Sequence, residues 1–474
     1  MSRSLPLLLI APALLFSACA ITRVDPPAPV APPAQYKETG LWQRGSATAD
    51  AATVPVPDAW WTLFADPVLD DLQQRLVIGN ENLRASIAQV AGARAAVEAS
   101  RSALFPTLSA NASASRSRNG SSVSSEGFEV TRAPRNTASV GLSSSWEIDL
   151  WGRLAQASDA AQAGYQASAD DLAAARLSAQ AMLAQSYFSM RAAEAQQSLY
   201  ERSVAAYRRS LELTRIRYEG GVAARTDVLQ AETQLKTAQA QALEAGIARA
   251  QFEHAIAVLL GQAPSAFALA RNDTLPAPPA VPEMLPGALL ERRPDIAAAQ
   301  RRVAAAYAQI GVADAAFFPQ LVLSASAGWQ RSGFADLISA PNLFWSIGPS
   351  ITQAIFDGGQ RRLASAQARA SADQATATYR QTVLTALQEV EDNLVLADRL
   401  QQQAQLQQEA LAAARRNLEI TLDQYRAGTV SYLNVVLAQT SALGSENSLL
   451  DVRNRQLAAV NQLLKNIAGR WQPV

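Results

Sequence analysis

Hydrophobic and polar residues alternate along this chain with two different periods. Four short stretches keep a period of two. Within 104–115, Leu104, Pro106, Leu108, Ala110, Ala112 and Ala114 alternate with Phe105, Thr107, Ser109, Asn111, Ser113 and Ser115. Within 137–149, Ala138, Val140, Leu142, Trp146 and Ile148 alternate with Thr137, Ser139, Ser143, Ser145, Glu147 and Asp149. Leu321, Leu323, Ala325, Ala327 and Trp329 then alternate with Gln320, Ser324, Ser326 and Gln330, and Trp345, Ile347, Pro349 and Ile351 with Ser346, Gly348, Ser350 and Thr352. Period two with one polar face predicts strands. The segments 116–135 and 331–341 between them are polar, so each pair reads as a hairpin.

The rest of the chain keeps a helical period. Residues 154–218 and 362–425 contain no proline, and each would reach about 100 Å as one continuous helix. Shorter helical stretches at 67–103 and 226–261 in one half, and 287–316 and 434–468 in the other, stack into columns of matching length. Tyr200, Val204, Tyr207, Leu211, Thr214 and Tyr218 recur at four-three spacing, as do Gln407, Leu411, Ala414, Leu418, Thr421 and Tyr425. A seven-residue period on a 3.6-residue helix makes neighbouring helices coil left-handedly.

Both long helices run into the same hook. LELTRIRYEGGVAARTDVLQAET begins at Leu211, and LEITLDQYRAGTVSYLNVVLAQT begins 207 positions later at Leu418. Eight of the 23 aligned positions are identical, including Tyr218 with Tyr425 and Gly221 with Gly428. Gly220, Gly221 and Gly428 are suited to the left-handed conformation that closes a helix. Thr226 or Asp227, and Ser431 or Asn434, are placed to cap the returning helix. The chain is therefore an internal two-fold repeat, joined by a Pro-rich connector at 263–286.

Four strands of this length with aromatics near their ends suit an outer-membrane barrel, although alternation taken alone favours a small soluble sheet with one wet face, the barrel signal being weak per strand. The helices favour the barrel, being too long for a compact domain. Open strand edges are not tolerated in lipid, so four strands need partners. Two chains would give eight strands and little pore; three give twelve, which predicts a homotrimer.

Composition adds limits. Lys and Arg total 41, as do Asp and Glu, so no basic surplus points to nucleic acid. With one histidine, His254, and one cysteine, Cys19, no Cys/His metal cluster is available. His254 sits in a helical stretch as a surface or packing residue. Gly358-Gly359, between a strand and a helix, lacks the rest of a phosphate loop and reads as a hinge.

The N-terminus carries an address. Arg3 precedes a short apolar run, 5–16, suited to a secretory signal. Phe16-Ser17-Ala18-Cys19 resembles a lipobox, with cleavage before a cysteine that takes a covalent lipid. Ala18-Cys19-Ala20 also fits plain secretion. Ala20 after the cysteine, by resemblance to bacterial lipoproteins, favours sorting to the outer membrane. Residues 25–34, DPPAPVAPPA, form an extended spacer.

WWTLFADPVLDDL at Trp60, RRPDIAAAQRRVAAAYAQIGVADAAFFPQL at Arg292, FDGGQRR at Phe356 and the two hooks resemble, in order and spacing, the TolC-type outer membrane factors. Within them the chain is similar to the lipoprotein branch that serves resistance-nodulation-division (RND) efflux pumps. The resemblance implies a mainly α fold with a small transmembrane β part: a trimeric twelve-stranded barrel in the outer membrane, continued by a long periplasmic α-helical barrel. It implies a periplasmic membrane fusion protein as adaptor, an inner-membrane RND pump, no covalent chemistry and no cofactor beyond the lipid on Cys19. The segments are then a signal peptide (1–18), an acylated linker and equatorial segment (19–66), two repeats (67–262 and 287–468) and a tail (469–474). The hooks, with Tyr218, Gly220, Gly221, Tyr425 and Gly428, would form the periplasmic tip and adaptor contact. Efflux members carry an Asp and an Arg after the second hook, in a stretch resembling LLDAQR, that help to close the aperture. The aligned stretch here, from Val435, puts Leu437 and Thr440 in those places. Arg225, Asp227, Asn434 and Leu437 are therefore the aperture candidates. A duct for protein secretion beside an ATP-driven exporter, and a non-conducting lipid-anchored scaffold, are the competing functions.

Overall fold

The structure, a computed structural model, describes residues 25–41, 57–118, 122–123, 129–130, 134–283, 286–333 and 335–468. The expected signal peptide, Cys19 and the C-terminal tail lie outside the described residues. A 3-10 turn, Trp60–Phe64, precedes α1 (Pro67–Gly79) and α2 (Glu81–Ser102). The hairpin β1 (Thr107–Ser117) and β2 (Arg135–Ile148) leads to α3 (Arg153–Glu219), and α4 (Arg225–Leu259) returns. The second half repeats the order: α5 (Pro286–Arg292), α6 (Pro294–Ala315), β3 (Gln320–Arg331), β4 (Leu343–Thr352), α7 (Gln360–Arg426) and α8 (Tyr432–Ile467). α3 and α7 each run for 67 residues. A two-residue ribbon, Ser122–Val123 with Glu129–Val130, sits in the β1–β2 connection.

The stretches expected as single helices, 67–103 and 287–316, are each broken near the start. At the first break Asn80 is extended, at φ −70° and ψ 117°. Its side chain accepts from Leu83 N–H at 3.0 Å and donates to Leu259 C=O at 2.7 Å. Beside it Gly79 meets the end of α4 so closely that an added Cβ would lie 2.2 Å from Leu260 O. The second break falls at Arg293, whose guanidinium spans Asp295 (2.6 Å) and Glu389 (2.9 Å). At the first break the partner, Leu259, lies far along the chain, where local propensity does not reveal it; at the second, Pro294 follows Arg293 and disfavours helix there from the sequence itself. At the start of α1, Asp66 caps Val68 N–H at 2.9 Å with Pro67 in the first turn, where a missing N–H does no harm.

The described chain forms two compact units. One holds Pro29–Gln89, Ala169–Ala298 and Arg380–Val474. Its core includes Trp60, Leu69, Leu72 and Leu76, with the Phe64 ring 4.7 Å from Phe188. Burying side chains of this size contributes about 1.5–3 kcal/mol each. The connector is pinned here through Glu194, fully buried, which accepts from Arg191 (2.7 Å), Arg249 (3.0 Å) and the Asn272 backbone (3.1 Å). A buried charge so surrounded is satisfied, and removing one partner typically costs about 3–5 kcal/mol. The other unit includes Val90–Ser168 and Ala299–Tyr379 and carries the sheet. The sheet is antiparallel, in the order β1-β2-β3-β4. It starts at Thr107, not Leu104, because Leu104 and Phe105 close a turn on Arg101 and Ser102. No helix among the described residues is long and apolar enough to cross a membrane.

Candidate functional site

The hooks close by the same bonds at the same offset. Gly221 N–H donates to Tyr218 C=O and Gly428 N–H to Tyr425 C=O, each at 3.0 Å. One residue on, Val222 N–H reaches Arg217 C=O (2.9 Å) and Thr429 N–H reaches Gln424 C=O (3.0 Å). This double closure requires a left-handed residue, and Gly221 and Gly428 sit at φ +74° and +79°. Gly220 does not take that conformation, contrary to expectation: its N–H continues the helix to Ile216 C=O. Its counterpart in the second hook is Ala427, which bonds Asp423 in the same way.

The expected caps also differ. Ala224 occupies the N-cap of α4, and Asp227, in the third helical position, accepts from Ala224 N–H at 3.3 Å. An alanine offers no acceptor in return, so only half of a capping box exists. Thr226 lies inside the helix. On α8 Ser431 is the N-cap, without a side-chain bond, and Asn434 lies beyond it, donating its backbone N–H to Ser431 C=O.

Packing sets the two hooks apart. Tyr207, Leu211, Ala231, Leu235, Ala238, Tyr425, Tyr432 and Val435 form one buried cluster, so the second stripe faces inward to its end at Tyr425 and the first does so as far as Thr214. The Tyr425 and Tyr432 rings lie 5.6 Å apart, and burial and the neighbouring Tyr425 and Tyr207 push the Tyr432 phenol well above its ordinary pKa. Tyr218, which matches Tyr425, is 40 % exposed, and Arg225, which matches Tyr432, is exposed. Arg217 crosses from the first hook to the second. Its guanidinium lies 4.6 Å from the Tyr425 ring centre and donates to the Tyr425 carbonyl. Sequence reasoning missed Arg217, although the repeat carried a signal: position 217 is Arg where its counterpart, 424, is Gln. Asn434 and Leu437 are exposed one turn apart on α8, so they share a face.

In the other unit the register places opposite positions on one face. Ser109 pairs with Ser143, Ser143 with Ser326 and Ser326 with Ser346. Ala110, Leu142, Ala327 and Trp345 make the adjacent row on the opposite face. Every residue of β1 is exposed, and β1 and β4 are the two edges. Pro349 lies on the β4 edge, where a missing donor is tolerated. Where strands meet the long helices, Asp149 accepts from Leu154 and Ala155 N–H (3.1 and 2.8 Å), and Asp357 holds Gly359 and Arg361 N–H (2.9 and 3.2 Å). The Arg361 side chain bonds the same Asp357 carboxylate, and together with these backbone bonds lowers its pKa to about 2. Among the described residues no group of three or more His, Cys, Asp or Glu is placed to hold a metal ion.

The family model described as "Outer membrane efflux protein" matches residues 72–262 and 285–469. The chain is 32% identical over 435 residues to a probable efflux pump outer membrane protein, TtgC, of Pseudomonas putida, covering 91% of this chain and 89% of that one. It is 30% identical over 478 residues to the pyoverdine export outer membrane protein OpmQ of Pseudomonas aeruginosa, covering 98% and 96%. Among solved structures, the outer-membrane channel OprN superposes with a TM-score of 0.86 at 30% identity, over 95% of this chain and all of that chain. CusC, whose structures concern folding and transmembrane channel formation, gives 0.81 at 26% identity over the same shares.

Proposed function

This chain belongs to the outer membrane efflux protein family, and from that premise we propose that three copies assemble into the exit duct of a tripartite pump. It is an outer-membrane efflux channel, a duct rather than an enzyme. An inner-membrane RND pump and a periplasmic adaptor feed it in this reading, and small solutes leave through it. OpmQ is described as exporting pyoverdine; for this chain the cargo is drugs or other small solutes.

The observation that carries the reading is the sheet. One face is mainly apolar, with Leu108, Leu142, Trp345, Ile347 and Ile351 all exposed, interrupted by Ser144 and ending in Arg116, Asn136 and Arg331. The other is hydroxyl-rich, and among the described residues both edges lack a neighbouring strand. Lipid accepts the first face and water the second, and open edges in lipid are intolerable. Pairing β4 of one copy with β1 of the next satisfies both edges, and three copies close twelve strands. Small outer residues on β1 (Ala110, Ala112, Ala114) would then lie beside large ones on β4 (Trp345, Ile347).

The paired hooks form the periplasmic tip, where Tyr218, Gly220, Gly221, Tyr425 and Gly428 meet the adaptor and Arg225, Asp227, Asn434 and Leu437 ring the aperture. Cys19 carries the lipid anchor. The test is assembly with conductance: detergent-extracted protein runs as a trimer and forms ion-conducting pores in planar bilayers. A monomer that never partitions into membranes would overturn the reading in favour of a periplasmic scaffold.

A further inference from the structure

On the apolar face of the sheet, β1 to β4 carry two ionisable side chains, and both are arginines at the hairpin end. β1 finishes this face with Arg116, paired with Asn136 of β2. β3 finishes it with Arg331, paired with Ala138 and two residues beyond Trp329. The other end, where the strands meet the long helices, finishes in Ile148, Leu321 and Ile351. Along β3, Arg331 and Leu321 are about 34 Å apart, which at the usual tilt of a barrel strand leaves about 26 Å along the membrane normal. That is the height of an outer-membrane apolar band. Arg331 therefore stands where the band gives way to head groups, with Trp329 just inside it, as interfacial aromatics are placed.

Both guanidiniums have donors to spare. Arg116 is exposed and makes no hydrogen bond or ion pair among the described residues. Arg331 uses Nη1, which donates to Ala335 C=O at 2.8 Å and lies 3.5 Å from the Asp336 carboxylate, itself 83 % exposed. An exposed pair of that length holds weakly. Two strand spacings and a two-residue offset put the two arginine backbones about 12 Å apart, with Asn136 between them.

From this we infer that the outward rim of the barrel binds a phosphorylated lipid of the outer leaflet, Arg116 and Arg331 gripping its phosphates while its acyl chains lie down the apolar face. The inference rests on the trimeric-barrel reading, in which the long helices are periplasmic and the hairpin end reaches the outer leaflet. A guanidinium fork matches phosphate oxygens and bonds them two at a time. A cation on the lipid face is costly at mid-membrane and tolerated at the interface, which is where both arginines stand. The periplasmic end of the same face carries no such cation, so the pair is a property of one leaflet. Free phosphate would meet the charges but leave the apolar face uncovered; a lipid satisfies both. Edge pairing between copies keeps each face on its own side, so three copies set six arginines around the perimeter.

The experiment measures binding of a labelled lipid. The full-chain trimer in an uncharged detergent is titrated with radiolabelled lipid A bearing two phosphates, and with the same lipid after enzymatic removal of both. Expected is saturable binding of the phosphorylated form alone. Arg116→Gln and Arg331→Gln should each weaken it about five-fold, the scale of one basic residue at an anionic lipid surface, and the double variant more than either. Arg135→Gln removes a charge at about the height of Arg116 but on the opposite face, where Arg135 donates to Ser332 Oγ at 3.0 Å, and should leave binding unchanged. Displacement of the lipid by millimolar inorganic phosphate would assign the arginines to free phosphate and overturn the inference. Equal binding of the dephosphorylated lipid, or equal losses from Arg135→Gln and Arg116→Gln, overturns it too, in preparations that still run as conducting trimers. Failure of the parent chain to form such trimers overturns the duct reading instead. Because Arg331 also holds Ala335, Arg116→Gln carries the test alone if Arg331→Gln fails to assemble.

Discussion

The Arg217 guanidinium lies 4.6 Å from the ring centre of Tyr425 and donates to the Tyr425 carbonyl, joining the ends of the two long helices. Each part of the contact has a physical cause. A planar cation is drawn to the face of an aromatic ring, and a positive charge is stabilised at a helix C-terminus, where carbonyls lack intrahelical partners. An arginine supplies both at once. Arg217→Ala is therefore expected to destabilise the hook pair by about 1–2 kcal/mol. Hydrogen exchange at 425–432 should speed up several-fold while the strands are unaffected. Arg217→Lys should recover only part of the protection, because an ammonium does not stack as a guanidinium does.

The hook glycines make an internal control. Gly221 and Gly428 hold positive φ, where an L side chain costs about 1–3 kcal/mol. Substituting either with valine should impair adaptor cross-linking and export while trimers persist. Gly220→Ala should leave both unchanged, since Ala427 already fills the equivalent place in the second hook. Equal damage from Gly220→Ala and Gly221→Ala would refute the assignment of the left-handed closure.

If Cys19 carries the anchor, Cys19→Ser abolishes incorporation of labelled palmitate. Much of the trimer should still assemble, because the barrel is itself held in the membrane. Undiminished labelling of the variant would exclude the lipid.

The repeats, both long helices and all four strands were legible because each depends on a local period. Alternation placed β1 to β4 to within a few residues, and the proline-free runs placed α3 and α7 to within two. What escaped depends on distant partners. Nothing near Asn80 announces a bond to Leu259, 179 positions away. Tyr218 and Tyr425 are the same residue in the same motif, yet one is half-exposed and the other buried. Their neighbours decide this. Tyr432 packs on Tyr425 and Arg217 covers it, whereas the matching positions around Tyr218 hold Arg225 and Gln424.

Acid should loosen the joint where β4 hands over to α7. Bonds from the Arg361 side chain, then from the Arg361 and Gly359 backbone, lower the Asp357 pKa from the usual value near 3.8 to about 2. A depressed folded-state pKa means the stabilisation is fully present above about pH 4 and is lost as pH falls through 2. Hydrogen exchange at 359–363 should accelerate across that window. Asp357→Asn should already show the fast rate at neutral pH and no further acceleration over the same range. A window centred above pH 5 would point to another group.

In the proposed aperture the chain departs from the charged ring of the efflux factors it resembles. Leu437 is 60 % exposed while Val435 and Ala438, on the opposite side of α8, are buried, so its side chain is free to meet its copies about a trimer axis. Asp227 is partly engaged by the Ala224 N–H, which weakens its claim as a free gating carboxylate. Apolar contact between leucines is hardly screened by salt, whereas exposed ion pairs lose most of their strength beyond a Debye length. The resting conductance in planar bilayers should therefore be low and nearly constant with ionic strength after correction for bulk conductivity. Leu437→Ala removes about 2 kcal/mol or more of apolar contact per chain and should raise the open fraction at least ten-fold. Asn434→Ala, one turn earlier on the same face, should change it far less. A closed state that opens steeply with added salt, or one indifferent to Leu437→Ala, would return the gate to Asp227 and Arg225.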